Sequence, residues 1–124
     1  MNDAVRDRKL LGLIGLGVRG RGAVVGVEQV RTAAQRGQLA LAVMAPDASE
    51  HSKKKVLPML KAKGIFVVEG PPAATLGAAV GRESAAAVGI VDRDLARGIR
   101  AAVSDERSPG ENGLDQASSA RPRG

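Results

Sequence analysis

The chain has 124 residues, with 19 Lys and Arg against 13 Asp and Glu and a formal net charge of +6. It contains no Cys, one His and a single aromatic residue, Phe66. These counts exclude disulfides, thiolate metal sites, cysteine nucleophiles and multi-histidine centres, as well as the stacking of successive bases on aromatic side chains. The length allows one domain. No apolar run reaches the roughly 18 residues of a membrane span, and LLGLIGLG lacks the small-residue cleavage pattern of a signal peptide. The expectation is a cytoplasmic protein with no membrane contact, no cofactor and no bound metal.

In chain order, Leu10, Leu13, Ile14 and Gly17 recur at helical spacing in VRDRKLLGLIGLG, which suits an amphipathic helix; a strand through LLGLI is the competing reading. The same segment contains Gly15-Leu16-Gly17-Val18-Arg19-Gly20, formally GxGxxG. A dinucleotide-binding turn follows a strand and opens a helix at its third glycine. Here Arg21 to Gly26 intervene, and the better helix pattern starts after Gly26. Asp47 also lies later than the ribose-binding acid, expected about 20 residues past the fingerprint.

AVVG (23–26) predicts an extended stretch leading into VEQVRTAAQRG. There Val27, Val30 and Ala34 form one helix face, and Glu28, Arg31, Thr32 and Gln35 the other; Gly37 closes the helix. LALAVMA (39–45) is a continuous apolar run, the pattern of a strand covered on both faces. Asp47, with Glu50 three residues on, predicts the cap of a helix through HSKKKVLPMLKAKG, in which Pro58 should produce a kink or a break. IFVVE (65–69) predicts a strand, AATLGAAVG a short helix ending at Gly81, AAAVGIV (85–91) a further strand and RDLARGIRAAV a basic helix. Asp92 and Asp94 begin that last helix, where acids serve as caps. Lys53, Lys54 and Lys55 are either a contact for an anionic partner or a solvated helix face, and His51 beside them is an exposed helix residue.

Strands alternating with helices predict an α/β domain with helices on both faces of a central sheet. It spans residues 1–103. Residues 104–124, rich in Ser, Gly, Pro and charge with Leu114 as the one large apolar residue, are expected to form a disordered tail. That tail holds three basic and four acidic residues, so the domain itself carries about +7, a balance that favours polyanionic partners.

The ordered segments IGLGVRGRGAVVG, GVEQVRTAAQRGQLALAVMAPDASEHSKKK and KAKGIFVVEGPPAATLGAAVGRESAAAVGIVD resemble the kink-turn RNA-binding family of ribosomal proteins. The resemblance runs from Leu10 to about Val103 and is greatest to a small bacterial, ribosome-associated branch. It implies a three-layer α/β/α sandwich with a small mixed central sheet, in which the opening segment is a helix. It also implies a monomeric, non-enzymatic protein whose partners are structured RNA, including ribosomal RNA, and the ribosome. The implied RNA site lies at the start of the second helix (Gly26, Glu28, Gln29, Arg31 and Thr32) and in a loop before the last main strand (Arg82, Glu83, Ser84 and Ala85). Arg19 and Arg21 are expected to add charge at the same end of the domain. A bulky residue at Gly26 is expected to cut RNA affinity and leave the fold intact. Family members often carry Asn-Glu after the glycine and Lys three residues beyond the Glu; here those places hold Glu28, Gln29 and Thr32, which admits a structured RNA other than a standard kink-turn. A protein-interaction module on the same fold, and a nucleotide-binding enzyme using GxGxxG, are the alternative readings.

Overall fold

A computed structural model describes residues 3–107. Its elements follow the order α1 (Asp3–Arg19), β1 (Ala23–Val25), α2 (Val27–Gln35), β2 (Leu41–Met44), α3 (Glu50–Ala62), β3 (Phe66–Glu69), α4 (Ala73–Ala79), β4 (Ala87–Ile90) and α5 (Arg93–Arg107). The strands form one mixed sheet in the order β1-β4-β2-β3, with β2 and β3 parallel and both contacts of β4 antiparallel.

Strand alternation divides the core in two. Leu41, Val43, Val88 and Ile90 point to one face and pack against Leu10 and Ile14 of α1, Leu76 of α4 and Ile99 of α5. Ala42, Met44 and Ala87 point to the other face and meet Val30 and Ala34 of α2 with Val56 and Leu60 of α3. The result is the expected three-layer α/β/α sandwich. Both central strands, β2 and β4, are buried along their whole length, so their sequences run apolar without alternation.

The opening segment is a helix. Gly15 and Gly17 of the GxGxxG match lie within α1, and the first serves contact with α4 and the second with α5. A Cβ on Gly17 would come within 2.4 Å of the Leu95 side chain, and one on Gly15 within 3.4 Å of the Ala79 carbonyl. No strand precedes the cluster among the described residues, so the dinucleotide reading is overturned: these glycines lie inside a helix and form no pyrophosphate turn.

Three further expectations need correction. Asp47 does not cap α3; Ser49 does, its Oγ accepting from the Ser52 amide at 3.0 Å. Of the kink or break expected at Pro58, the break is absent: Pro58 sits inside α3 without dividing it. Pro58 and Lys54, whose carbonyl loses its usual donor, both lie on the exposed side of the helix, where water can replace the lost bond. Finally, α5 continues to Arg107, so residues 104–107 are helical where the tail was expected to begin; the rest of that tail, 108–124, lies outside the described residues.

Candidate nucleic-acid interface

β1 and β4 bring the two expected halves of the site together. Their antiparallel register pairs Val25 with Val88, so the residue leaving β1, Gly26, lies beside the residues entering β4. The Gly26 amide donates to the Ala87 carbonyl at 2.8 Å. The start of α2 and the loop over 82–85 are thereby joined directly through the sheet.

Gly26 is the N-cap of α2, with φ 105 and ψ 153 and no side-chain cap. The first amides of the helix, those of Val27, Glu28 and Gln29, have no backbone or side-chain acceptor among the described residues, and they carry the positive end of the helix dipole. A Cβ at Gly26 would meet nothing within 4 Å. Space therefore does not require glycine here, but the backbone conformation does, because an L-residue is strained at this φ. That corrects the expectation that a bulky replacement would leave the fold untouched.

Glu28, Gln29, Arg31 and Thr32 are all exposed on the outer side of α2. Glu28 does not present a bare negative charge. The Lys55 ammonium of α3 donates to its Oε2 at 2.5 Å. That hydrogen bond and the Lys55 charge, with smaller help from Arg31 and His51, hold the Glu28 carboxyl below its ordinary value. Lys55 is the member of this surface that sequence reasoning left undecided. The KKK run marks it as basic, but only the packing of α2 against α3 assigns it, rather than Lys53 or Lys54, to Glu28.

The second half is rigidly backed. α4 ends with Gly81 at φ 77, the Arg82 amide turns back to the Gly77 carbonyl at 2.8 Å and the Ala85 amide bonds the Ala73 carbonyl at 3.0 Å. The Ser84 backbone rests on Gly77, where a Cβ would come within 2.4 Å of the Ser84 Cα. Arg82, Glu83 and Ser84 are exposed, whereas Ala85 is buried and presents no side chain to a partner. Asp47 anchors the other end of the same helix: its Oδ1 accepts from the Ala73 amide at 2.8 Å, capping α4 in place of Pro72, which has no side-chain acceptor.

The two arginines before β1 part company. The Arg19 guanidinium folds back over Gly15, where an added Cβ would lie 3.5 Å from its Nη1 and 3.4 Å from the Ala79 carbonyl. It therefore stands beside the last turn of α4. Arg21 precedes β1 while Gly26 follows it, so the three-residue strand, roughly 10 Å long at its usual rise per residue, lies between them. They are not at the same end.

The sequence profile described as "Ribosomal protein L7Ae/L30e/S12e/Gadd45 family" matches residues 8–98. The chain belongs to this family. Among solved structures it is similar to a protein of unknown function from Bacillus halodurans C, at 34% identity and a TM-score of 0.72, covering 77% of this chain and 97% of that one. It also shares its fold with a 15.5kD RNA binding protein from Giardia lamblia, at 22% identity and a TM-score of 0.68, covering 81% of this chain and 86% of that one. No curated protein sequence matches it significantly. The matched stretch takes in α1 from residue 8 onward, its glycines included. Among the described residues, no helix is long and apolar enough to cross a membrane.

Proposed function

We propose that the protein binds structured RNA, of kink-turn or internal-loop type, in association with the ribosome or its RNA, and that it does so without catalysing a reaction. The observation that carries this reading is the bond from the Gly26 amide to the Ala87 carbonyl. It unites the open, dipole-positive start of α2 with the exposed 82–84 loop in a chain of the L7Ae/L30e family. Membership alone supports RNA binding in general; the joined halves support a bent RNA as the target, because a bend presents phosphates and extruded bases on one side. Amides and dipole at α2 suit phosphate, Gln29 can both donate to and accept from a base edge, and Arg31 can fork onto phosphate. Within the 82–85 loop, Arg82, Glu83 and Ser84 contribute side chains, while Ala85 contributes through its backbone position.

Gel shifts with an internally looped or kinked RNA and a plain duplex of equal length test this reading. Preference for the looped RNA that persists as salt is raised is the expected result. Equal, weak and steeply salt-dependent binding to both would reduce the protein to a nonspecific polycation.

One observation favours a protein-interaction module instead. A groove of about 540 Å³ between α1 and α5 is lined by Leu13, Leu16, Gly98 and Ala101, and Leu16 is 56% exposed. Pull-down with and without ribonuclease separates the two readings, since partners held through RNA are lost on digestion and direct protein partners are not.

A further inference from the structure

Among the described residues, four helices end in the same backbone motif. After α2, Gly37 donates to the Ala34 carbonyl and Gln38 to Ala33; after α3, Gly64 donates to Lys61 and Ile65 to Leu60; after α4, Gly81 donates to Ala78 and Arg82 to Gly77. In each, the residue after the cap is left-handed, with φ between 69 and 77, and in each it is glycine, which adopts that conformation without steric cost. After α1 the same two bonds form, Arg21 to the Val18 carbonyl at 3.3 Å and Gly22 to the Gly17 carbonyl at 2.7 Å. Here the left-handed residue is Arg21, at φ 63, the one non-glycine residue with positive φ among those described. A side chain in this conformation carries a strain that glycine avoids.

Among the described residues nothing requires that side chain. Arg21 is exposed, and its guanidinium makes no hydrogen bond, ion pair or ring contact among the described residues. The neighbouring glycine is explained by packing, because a Cβ on Gly22 would come within 2.9 Å of the Asp92 Cβ; no such constraint selects Arg at 21. The Gly22 carbonyl accepts from the amides of Val91 and Asp92, which fixes Arg21 next to the start of α5, where Arg93 is also exposed. β1 is an edge strand, and Arg21 stands at the end of it remote from Gly26.

We infer that the strained backbone at Arg21 is kept for a contact outside the molecule: its guanidinium clamps a phosphate of the bound RNA past the α2 start, extending the footprint along the β1 edge. The inference rests on the RNA-binding reading and adds to it a second contact point. A planar guanidinium with no partner among the described residues is suited to fork onto phosphate oxygens.

The test compares the full-length chain with Arg21→Gly and Arg21→Lys in thermal melting and in binding to an internally looped RNA across a salt series. Arg21→Gly is expected to melt higher, on the order of 4–8 °C for a domain of this size. It should bind the RNA roughly threefold to tenfold more weakly, with the log–log salt slope reduced by about one phosphate contact. Arg21→Lys keeps both strain and charge, so it should melt like the parent and retain most of the slope. If the parent binds the looped RNA but Arg21→Gly binds it with unchanged affinity and slope, the clamp is refuted while RNA binding stands. A lower melting temperature for Arg21→Gly would overturn the strain argument, and a parent chain that binds no RNA would overturn both readings.

Discussion

Lys55 reaches across from α3 to place its ammonium on the Glu28 carboxylate, 2.5 Å from Oε2. Glu28 lies two residues past Gly26, at the mouth of the α2 amides, where a bare carboxylate would repel phosphate. With Lys55 seated on it, the local charge is balanced, and Arg31 tips it toward positive. The ion pair is exposed on both sides and so adds little to stability; its effect falls on the partner. Lys55→Ala is therefore expected to leave thermal melting close to the parent's while weakening RNA binding about threefold to tenfold at moderate salt. Adding Glu28→Gln to it should restore part of the loss. Filter binding of the single and double variants measures both steps, and a single variant that binds like the parent would mean that RNA does not approach Glu28.

The same pair makes a prediction about acid. The folded carboxyl of Glu28 is held below its ordinary value, first by the Lys55 hydrogen bond and then by the Lys55 charge. A group depressed in this direction contributes its interaction in full above the unfolded value, and the contribution is lost as pH falls through the lowered folded value. Across neutral and mildly acidic pH the pair stays intact, and it breaks as pH falls through the lowered Glu28 value. Carboxyl carbon shifts followed by NMR should show Glu28 titrating below 4.5, its ordinary value, and moving back up in Lys55→Ala.

Much of this surface was legible in the sequence, for reasons that differ by residue. The buried strands announced themselves because β2 and β4, covered on both faces, leave no room for polar residues. Gly37 and Gly81 marked helix ends because left-handed backbone favours glycine. Arg21 occupies the same conformation without that signature, so nothing in the residue type betrayed it. Asp47 was misassigned because capping chemistry fixes what an acid can do but not which helix it serves. Its partner amide, Ala73, is 26 positions away, a relation that only the packed fold supplies. The GxGxxG match was discounted because the next helix starts too late for a phosphate turn, and in the fold its glycines lie within or just past α1.

Two glycines that precede the 82–85 loop, Gly77 and Gly81, should respond differently to alanine. At Gly77 the added Cβ would sit 2.4 Å from the Ser84 Cα, with the Ser84 backbone nitrogen and carbonyl carbon 2.7 Å away, so the loop backbone has to move. Overpacking of this kind costs about 1–3 kcal/mol, and the displacement should also weaken binding to looped RNA. At Gly81 nothing lies within 4 Å and only the left-handed φ of 77 is disturbed, a strain of roughly 1–2 kcal/mol. Gly77→Ala should therefore alter the amide chemical shifts of 82–85 and reduce RNA affinity, whereas Gly81→Ala should mainly lower the melting temperature. Equal effects on the loop from both would show that Ser84 is not held by Gly77.

Asp47 offers a way to loosen the loop from a distance. Its carboxylate caps α4 at Ala73, and the Ala73 carbonyl in turn receives the Ala85 amide, so one residue of α4 ties the cap to the far side of the loop. Removing the carboxylate leaves the Ala73 amide without its acceptor, because Pro72 at the N-cap provides none. Asp47→Ala should destabilise the protein by about 1 kcal/mol, as loss of a helix cap does, and lower the melting temperature by roughly 4–8 °C. Asp47→Asn keeps an oxygen acceptor and should recover most of that. Amide hydrogen exchange locates the effect. Faster exchange at Leu76 and Ala85, with the amides of β2 unchanged relative to global stability, is the expected pattern. Uniform acceleration through both core faces would indicate that Asp47 supports the whole domain and has no particular hold on the loop.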